Sequence, residues 1–259
     1  MLRSVSSAAK PVEDDLREKG EEDADEAEDK PLAPVAGMNR FVWDLRRTVP
    51  SLIMPRYSYG DFPPQGVRVA PGAYTVRLTV GSETMERPFD VRANPAVTVA
   101  PEDLKAQADF VRTVTADLAA IHRTLRRIKD VKAQVDGLVK RASAIGKGEG
   151  LKGAAESLTG KLQALEDELY NPNLKVNQDS LNYLPKLDFQ FAGLAGVADS
   201  ADAKPTSGIL ARYQDLKAQL ADVMGRVTTT LDTDLTAFNK AVVAAGIPPV
   251  VLMPFDKTN

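Results

Sequence analysis

Residues 101–145, "PEDLKAQADFVRTVTADLAAIHRTLRRIKDVKAQVDGLVKRASAI", carry the spacing that decides the fold. Val111, Val114, Leu118, Ile121, Leu125 and Ile128 fall three and four residues apart, the mark of one helix face turned to a core. After a one-step slip near Val131 the pattern resumes at Val135, Leu138, Ala142 and Ile145. A helix over the whole stretch is roughly 65 Å long at about 1.5 Å per residue. Pro101 suits the first turn, and Glu102 and Asp103 complement the helix dipole there. Glycines at 146, 148 and 150 end it.

The same spacing continues downstream. Leu151, Ala155, Leu158, Leu162, Leu165 and Leu169 predict a second helix that stops near Asn171-Pro172. A loop leads to a shorter helix with Leu187, Phe191, Leu194 and Val197 as its stripe. After "DSADAKPTSG" a last long helix carries Tyr213, Leu216, Leu220, Val223, Val227, Leu231, Leu235, Phe238 and Val242, ended by Gly246 and Pro248. Short connections at 146–150 and 199–206 require antiparallel neighbours. Residues 98–246 therefore predict an elongated three-helix bundle with an interrupted middle member, and 247–259 a C-terminal tail.

Upstream the period changes to two. Residues 35–95 read as β: Phe41, Trp43 and Leu45 alternate with Arg40, Val42 and Asp44, which predicts a strand. Tyr74, Val76, Leu78 and Val80 share one face of a second strand. The chain turns at Gly81-Ser82 and returns with Met85, Arg87, Phe89 and Val91 alternating, a hairpin pattern. Three strands, or four with "LRSVSS" at 2–7, are too few for a sandwich, which usually needs about seven. The overall expectation is α+β in separate domains: a partial, incomplete immunoglobulin-like β-sandwich followed by the bundle. "TVPSLIMPRYSYGDFPPQG" at 48–66 reads as an ordered crossover loop. Its Tyr57, Tyr59 and Phe62, with Trp43, form a candidate contact surface, or equally a cap over the sheet or the base of the bundle.

Residues 1–34 hold that short N-terminal strand and an acidic, disordered insertion. Within 13–30, eleven acids face three bases, so the rest of the chain has 25 acids and 30 bases. Too little apolar surface lies there to offset chain entropy. An interaction arm and a solvated loop insertion both fit. The basic excess elsewhere lies on helix-patterned segments without interleaved aromatics, which argues against nucleic-acid binding. The absence of cysteine removes disulfides, thiolate metal sites and cysteine nucleophiles together. "MLRSVSSAAKPV" lacks the apolar core of a signal peptide, and "AVVAAGIPPVVLM" is too short to span a bilayer. Cytoplasmic residence is the expectation for this chain alone, with no membrane insertion.

Catalytic chemistry finds little support. His122 is the single histidine, which excludes two-histidine metal sites and reads as a partly exposed packing residue beside Ile121. Glu166, Asp167 and Glu168 are adjacent on a solvated helix face, whereas glycosidase carboxylates face each other across about 5–9 Å of cleft. "GKGEGLKG" follows no strand, so it is a helix-hairpin turn and not a phosphate cradle. No catalytic, cofactor-binding or metal-binding residue is assigned.

Taken in order, "AGMNRFVWDLR", "RVAPGAYTVRLTV", "PFDVRANP", "LQALEDELYN", "DSLNYLPKL" and "AGVADSADAKPT" resemble the C-terminal region of bacterial sortilin-like, BNR-repeat β-propeller proteins, often catalogued as glycosyl hydrolases. The resemblance covers about residues 1–250. It implies propellers ahead of an immunoglobulin-like domain and a closing helical region, with export of the full-length protein to the periplasm or beyond. No Asp-box of the form S-x-D-x-G-x-T-W occurs here, so any activity of the blades has no residues in this chain. The resulting expectation is a truncated or split fragment acting as a non-catalytic structural or interaction module. It would dock to a propeller or partner chain, or self-associate through its open sheet edge. The alternative is part of an exported, sialidase-like glycosyl hydrolase whose catalytic propeller is missing.

Overall fold

The computed structural model of the chain describes residues 2–7, 32–48, 66–174 and 177–252. Tyr57, Tyr59 and Phe62, and the acidic run at 13–30, lie outside the described residues. Among the described residues the fold is mixed α+β, a two-stranded antiparallel sheet followed by four helices. The strands are β1 (Gly72–Val80) and β2 (Glu83–Val91). Helix α1 is Pro101–Ala144, α2 is Glu149–Leu169 and α3 is Leu187–Asp199, with a 3₁₀ turn at Asn177–Leu181 before it. The last helix is continuous but in three parts: α4 (Ser207–Thr229), a π-helical turn (Thr230–Asp234) and α5 (Leu235–Ala244).

The apolar stripes become one core. Val114, Leu118, Ile121, Leu125, Ile128, Val135 and Leu138 of α1 are buried with the leucines of α2 and the stripe of α4 and α5. The slip near Val131 has a structural cause. Unbroken alternation would put position 132 inward, and position 132 is a lysine. Val131 is buried instead, while Lys132 reaches across to donate to Glu166 Oε2 at 2.8 Å and to Gln163.

A second irregularity explains the π turn. Val227, Leu231 and Leu235 are all buried although they follow one another at steps of four. Two steps of four make eight residues where about seven fit two turns of helix. The wider turn at Thr230–Asp234 absorbs the extra residue, and Lys161 of α2 donates to Asp234 Oδ1 there at 2.7 Å.

Four sequence expectations need correction. The strand predicted around Phe41–Leu45 does not form. Only Arg46 makes a β-bridge, to Arg68, and Leu45 before it has φ of 60°. Asp44 Oδ1 accepts from the Arg46 N–H at 2.9 Å, so the short side chain turns the chain where alternation predicts extension. His122 is fully buried and not partly exposed. Val197 is exposed and Ala198 takes the inward place, because a step of four from Leu194, or seven from Phe191, reaches 198. Glu166 is buried on Lys132 and is not on a solvated face.

Residues 247–252 are not a free tail. Asn239 clamps Val250 through two 2.9 Å bonds, its amide donating to the Val250 carbonyl and accepting from the Val250 N–H. Gln134 of α1 does the same for Val251, at 2.9 and 3.0 Å. Two side-chain amides thus hold the backbone of this segment, and the Val250 side chain is buried.

Between α1 and α4, the Tyr213 hydroxyl donates to Asp117 Oδ2 at 2.9 Å. Burial first, and then the bond to the Asp117 carboxylate, push the Tyr213 phenol from an ordinary 10 to about 12. A raised pKa means neutral Tyr213 adds stability that is whole below about pH 10 and is lost as pH climbs towards about 12. Tyr213→Phe is expected to flatten this alkaline decline. Urea denaturation of both proteins near pH 9 and near pH 11.5 measures it, and equal losses would refute the role of the phenol.

Candidate interaction surface

The hairpin is set by its turn. Gly81, with φ of 60°, and Ser82 connect Val80 to Glu83, and the register runs through Leu78↔Met85, Val76↔Arg87 and Tyr74↔Phe89. Since side chains alternate between faces, Tyr74, Val76, Leu78, Val80, Met85, Phe89 and Val91 line one side, with the charged Glu83 and Arg87 among them. On the other side Arg77 donates to Glu86 at 2.6 Å, and the Thr79 and Thr84 hydroxyls meet at 3.2 Å.

Trp43 covers only the base of the apolar side. Its ring stands edge-on to Tyr74 at 6.3 Å and to Phe89 at 6.1 Å. Its Nε1 donates to the Arg46 carbonyl at 2.7 Å. The tryptophan therefore packs on the hairpin through its side chain, without joining the sheet. Beyond it the cover stops: Val76 is 54% exposed, Leu78 52%, Val80 61% and Met85 51%. Phe41 and Leu45, expected on the same buried face as Trp43, are exposed too.

The chain around Trp43 is held from both sides. Arg47 N–H donates to the Val67 carbonyl and Val69 N–H to the Leu45 carbonyl, both at 2.9 Å. Thr48 N–H donates to the Leu2 carbonyl at 3.1 Å, and no strand is formed at 2–7. Leu32 N–H donates to the Ser6 carbonyl at 3.0 Å, which pins together the two flanks of the acidic run.

One carboxylate joins this region to the helices. Asp199, the last residue of α3, accepts from Arg46 at 3.0 Å and from Arg68 Nε at 2.8 Å. Arg68 also donates to the Asp199 carbonyl at 2.6 Å and to Asp202 at 3.0 Å. Burial opposes the Arg68 charge, but its bonds to Asp199 and Asp202 outweigh this and hold its pKa above the ordinary value. Beneath the arginines Val67 is buried on Val111 and Ala198, while Gln107 donates to the carbonyls of Ala198 and Ala201. Sequence reasoning missed Arg46, Arg68, Asp199 and Asp202. Charged residues in loops carry no periodicity, and the pairs are more than 130 positions apart.

A cleft of about 410 Å³ opens beside this joint, between the hairpin base and the start of α1. Of its four cations, Arg68 is engaged as above and Lys105 and Arg112 on Asp109, while Arg47 acts on Asp109 through its charge. Those contacts, the Lys105 hydrogen bond first, hold the Asp109 carboxyl below its usual range. Elsewhere Arg226 grips Glu168 with two bonds, at 2.8 and 2.6 Å, which lowers the Glu168 pKa. Two of the three acids on that helical turn are thus tied to bases. Among the described residues no cluster of three or more His, Cys, Asp or Glu could hold a metal ion, and no helix is long and apolar enough to cross a membrane.

Comparison with protein-family models, with curated proteins and with solved structures finds no match to this chain.

Proposed function

We propose that the chain is a non-catalytic docking module whose contact surface is the uncovered apolar side of the β1–β2 hairpin, with Trp43 at its base. The exposure of Val76, Leu78, Val80 and Met85 on one side of one sheet carries this reading. Contiguous exposed apolar surface marks contact sites on soluble proteins, and its burial is worth about 25 cal/mol per Å². The partner is a β-propeller or a separate chain, as the sortilin-like resemblance implies, with this chain as the C-terminal part of such a protein. On this reading 35–95 is a partial immunoglobulin-like sandwich. Residues 98–246 form an elongated three-helix bundle with an interrupted middle helix, projecting as a stalk.

Titration calorimetry with a sortilin-like β-propeller domain, produced as a separate polypeptide, is expected to give saturable binding to the full chain. Leu78→Lys combined with Met85→Lys should weaken it at least about tenfold, since full burial of each side chain is worth about 1.5–3 kcal/mol. Helical circular dichroism should stay unchanged. Undiminished binding by the double variant would remove this face from the reading, and no binding by either protein would remove the propeller as partner. Turnover of chromogenic glycosides by the purified chain, abolished by a carboxylate substitution, would overturn the non-catalytic assignment.

A further inference from the structure

The two outer edges of the hairpin differ in kind. A two-residue turn makes Val80↔Glu83 a hydrogen-bonded pair, and alternation extends this to Leu78↔Met85, Val76↔Arg87 and Tyr74↔Phe89. Ala73, Thr75, Arg77 and Thr79 therefore turn their backbone groups outward on β1, as do Thr84, Glu86, Pro88 and Asp90 on β2. Pro88 supports this parity independently, because proline is tolerated in a strand where no ladder donor is needed. It also blunts the β2 edge, together with the charge of Asp90.

The β1 edge has no such protection. It contains no proline, and its single charge, Arg77, is paired with Glu86 at 2.6 Å. Among the described residues no other strand pairs with it, and every residue of β1 except Tyr74 is exposed. An unpaired edge whose one charge is held by the neighbouring strand is a template for another strand.

We propose that this edge pairs with the β1 edge of a second copy of the chain, antiparallel, about a two-fold axis at Val76. The sheet then has four strands in the order β2-β1-β1-β2. Val76 is the midpoint of Gly72–Val80, so this register alone overlaps the whole strand. It matches the outward positions, Ala73 with Thr79 and Thr75 with Arg77, each pair exchanging both backbone bonds. A register centred one pair further on would set Arg77 against itself. The two-fold axis stands perpendicular to the sheet, so Val76, Leu78 and Val80 of both copies lie on one side and form a continuous apolar face. The inference goes beyond the docking reading and rests on the backbone edge, where that reading rests on the face.

The cysteine-free sequence makes the test direct. Val76 meets its own copy as a non-hydrogen-bonded pair, with Cα atoms about 4.5 Å apart, inside the disulfide range of about 4.4–6.8 Å. Met85 sits on the same face but three strand spacings, about 14 Å, across the sheet from its copy, and a further four residues along it. Under mild oxidation Val76→Cys is expected to cross-link at least about tenfold faster than Met85→Cys at equal concentration. Sedimentation of the unsubstituted chain should show a concentration-dependent dimer, lost in Arg77→Pro while Trp43 emission stays unchanged. Equal cross-linking rates would overturn the proposal. So would a chain that stays monomeric to hundreds of micromolar, or a dimer that survives Arg77→Pro with its Trp43 emission intact. Should Arg77→Pro shift that emission, the hairpin is disturbed and the cross-linking comparison decides. Propeller binding by a strictly monomeric chain would leave the docking reading standing and sink this one alone.

Discussion

Replacing Phe191 by alanine is expected to cost about 3–5 kcal/mol, the range for truncating a buried aromatic. Phe191 is fully buried at the centre of α3, a helix of 13 residues that packs on both α1 and α4. Its ring stands at 90° to that of Tyr213, with centroids 6.5 Å apart, and Tyr213 in turn meets Phe110 edge-on at 5.5 Å. Removing the phenyl group leaves a cavity that two long helices cannot close without shifting along their whole length. A short helix has few other apolar anchors, here Leu187, Leu194 and Ala198. The melting temperature should fall by roughly 10 °C, taking about 2–4 °C per kcal/mol for a unit of this size. Phe191→Leu, which conserves most of the volume, should cost less than half as much. A loss below about 1 kcal/mol for Phe191→Ala in urea denaturation would mean that the ring is not packed as described.

Asp199→Ala is expected to separate the hairpin region from the helices without unfolding either. Two effects of opposite sign meet at this residue. A carboxylate in the last turn of a helix opposes the dipole by about 0.3–1 kcal/mol, so α3 alone would gain from losing it. Against this stand side-chain bonds to two guanidiniums, each worth about 1.5–3 kcal/mol when well shielded. Asp199 and Arg46 side chains are each 19% exposed and Arg68 is 37% exposed, so solvent screening discounts those figures. Arg46 also keeps its bond to the Gly66 carbonyl, and Arg68 its bond to Asp202. The net loss should be about 2 kcal/mol, and it should be local. Trp43, the single tryptophan, bonds the Arg46 carbonyl and rests on the hairpin, so its emission reports the joint. A red shift at lower denaturant in Asp199→Ala, with helical circular dichroism unchanged, is the expected result. Coincident movement of both signals would show that the joint and the bundle unfold as one unit.

These two residues also mark how far one-dimensional reading reaches. Phe191 is found by its spacing from Leu187 and Leu194, and a core position on a helix is a local property. Asp199 is found only once the chain is folded. Its partners lie in loops, where neither period applies, and nothing at position 199 distinguishes it from the other acids. Trp43 falls between the two. Alternation with Phe41 and Leu45 suggested a strand face, yet a single Asx-type bond from Asp44 bent the backbone before Arg46. The same tryptophan still found the hairpin, through its ring instead of its backbone.

What the amino-acid order determines by itself is the set of helices, the hairpin and its turn, because helix faces, alternation and glycine stops are all short-range consequences of side-chain geometry. The irregularities at Val131 and at Thr230–Asp234 are already present in the spacing, as one step too few and one too many. Only tertiary structure decides what they mean, since Val131 takes the inward place while Lys132 reaches across to a buried Glu166 on a neighbouring helix. The exposure of the hairpin face is likewise a tertiary fact. Val76, Leu78 and Met85 have the pattern of buried residues, and whether such residues are covered depends on what else is near them. Within the described residues the cover is Trp43 alone, and it ends at the base of the sheet.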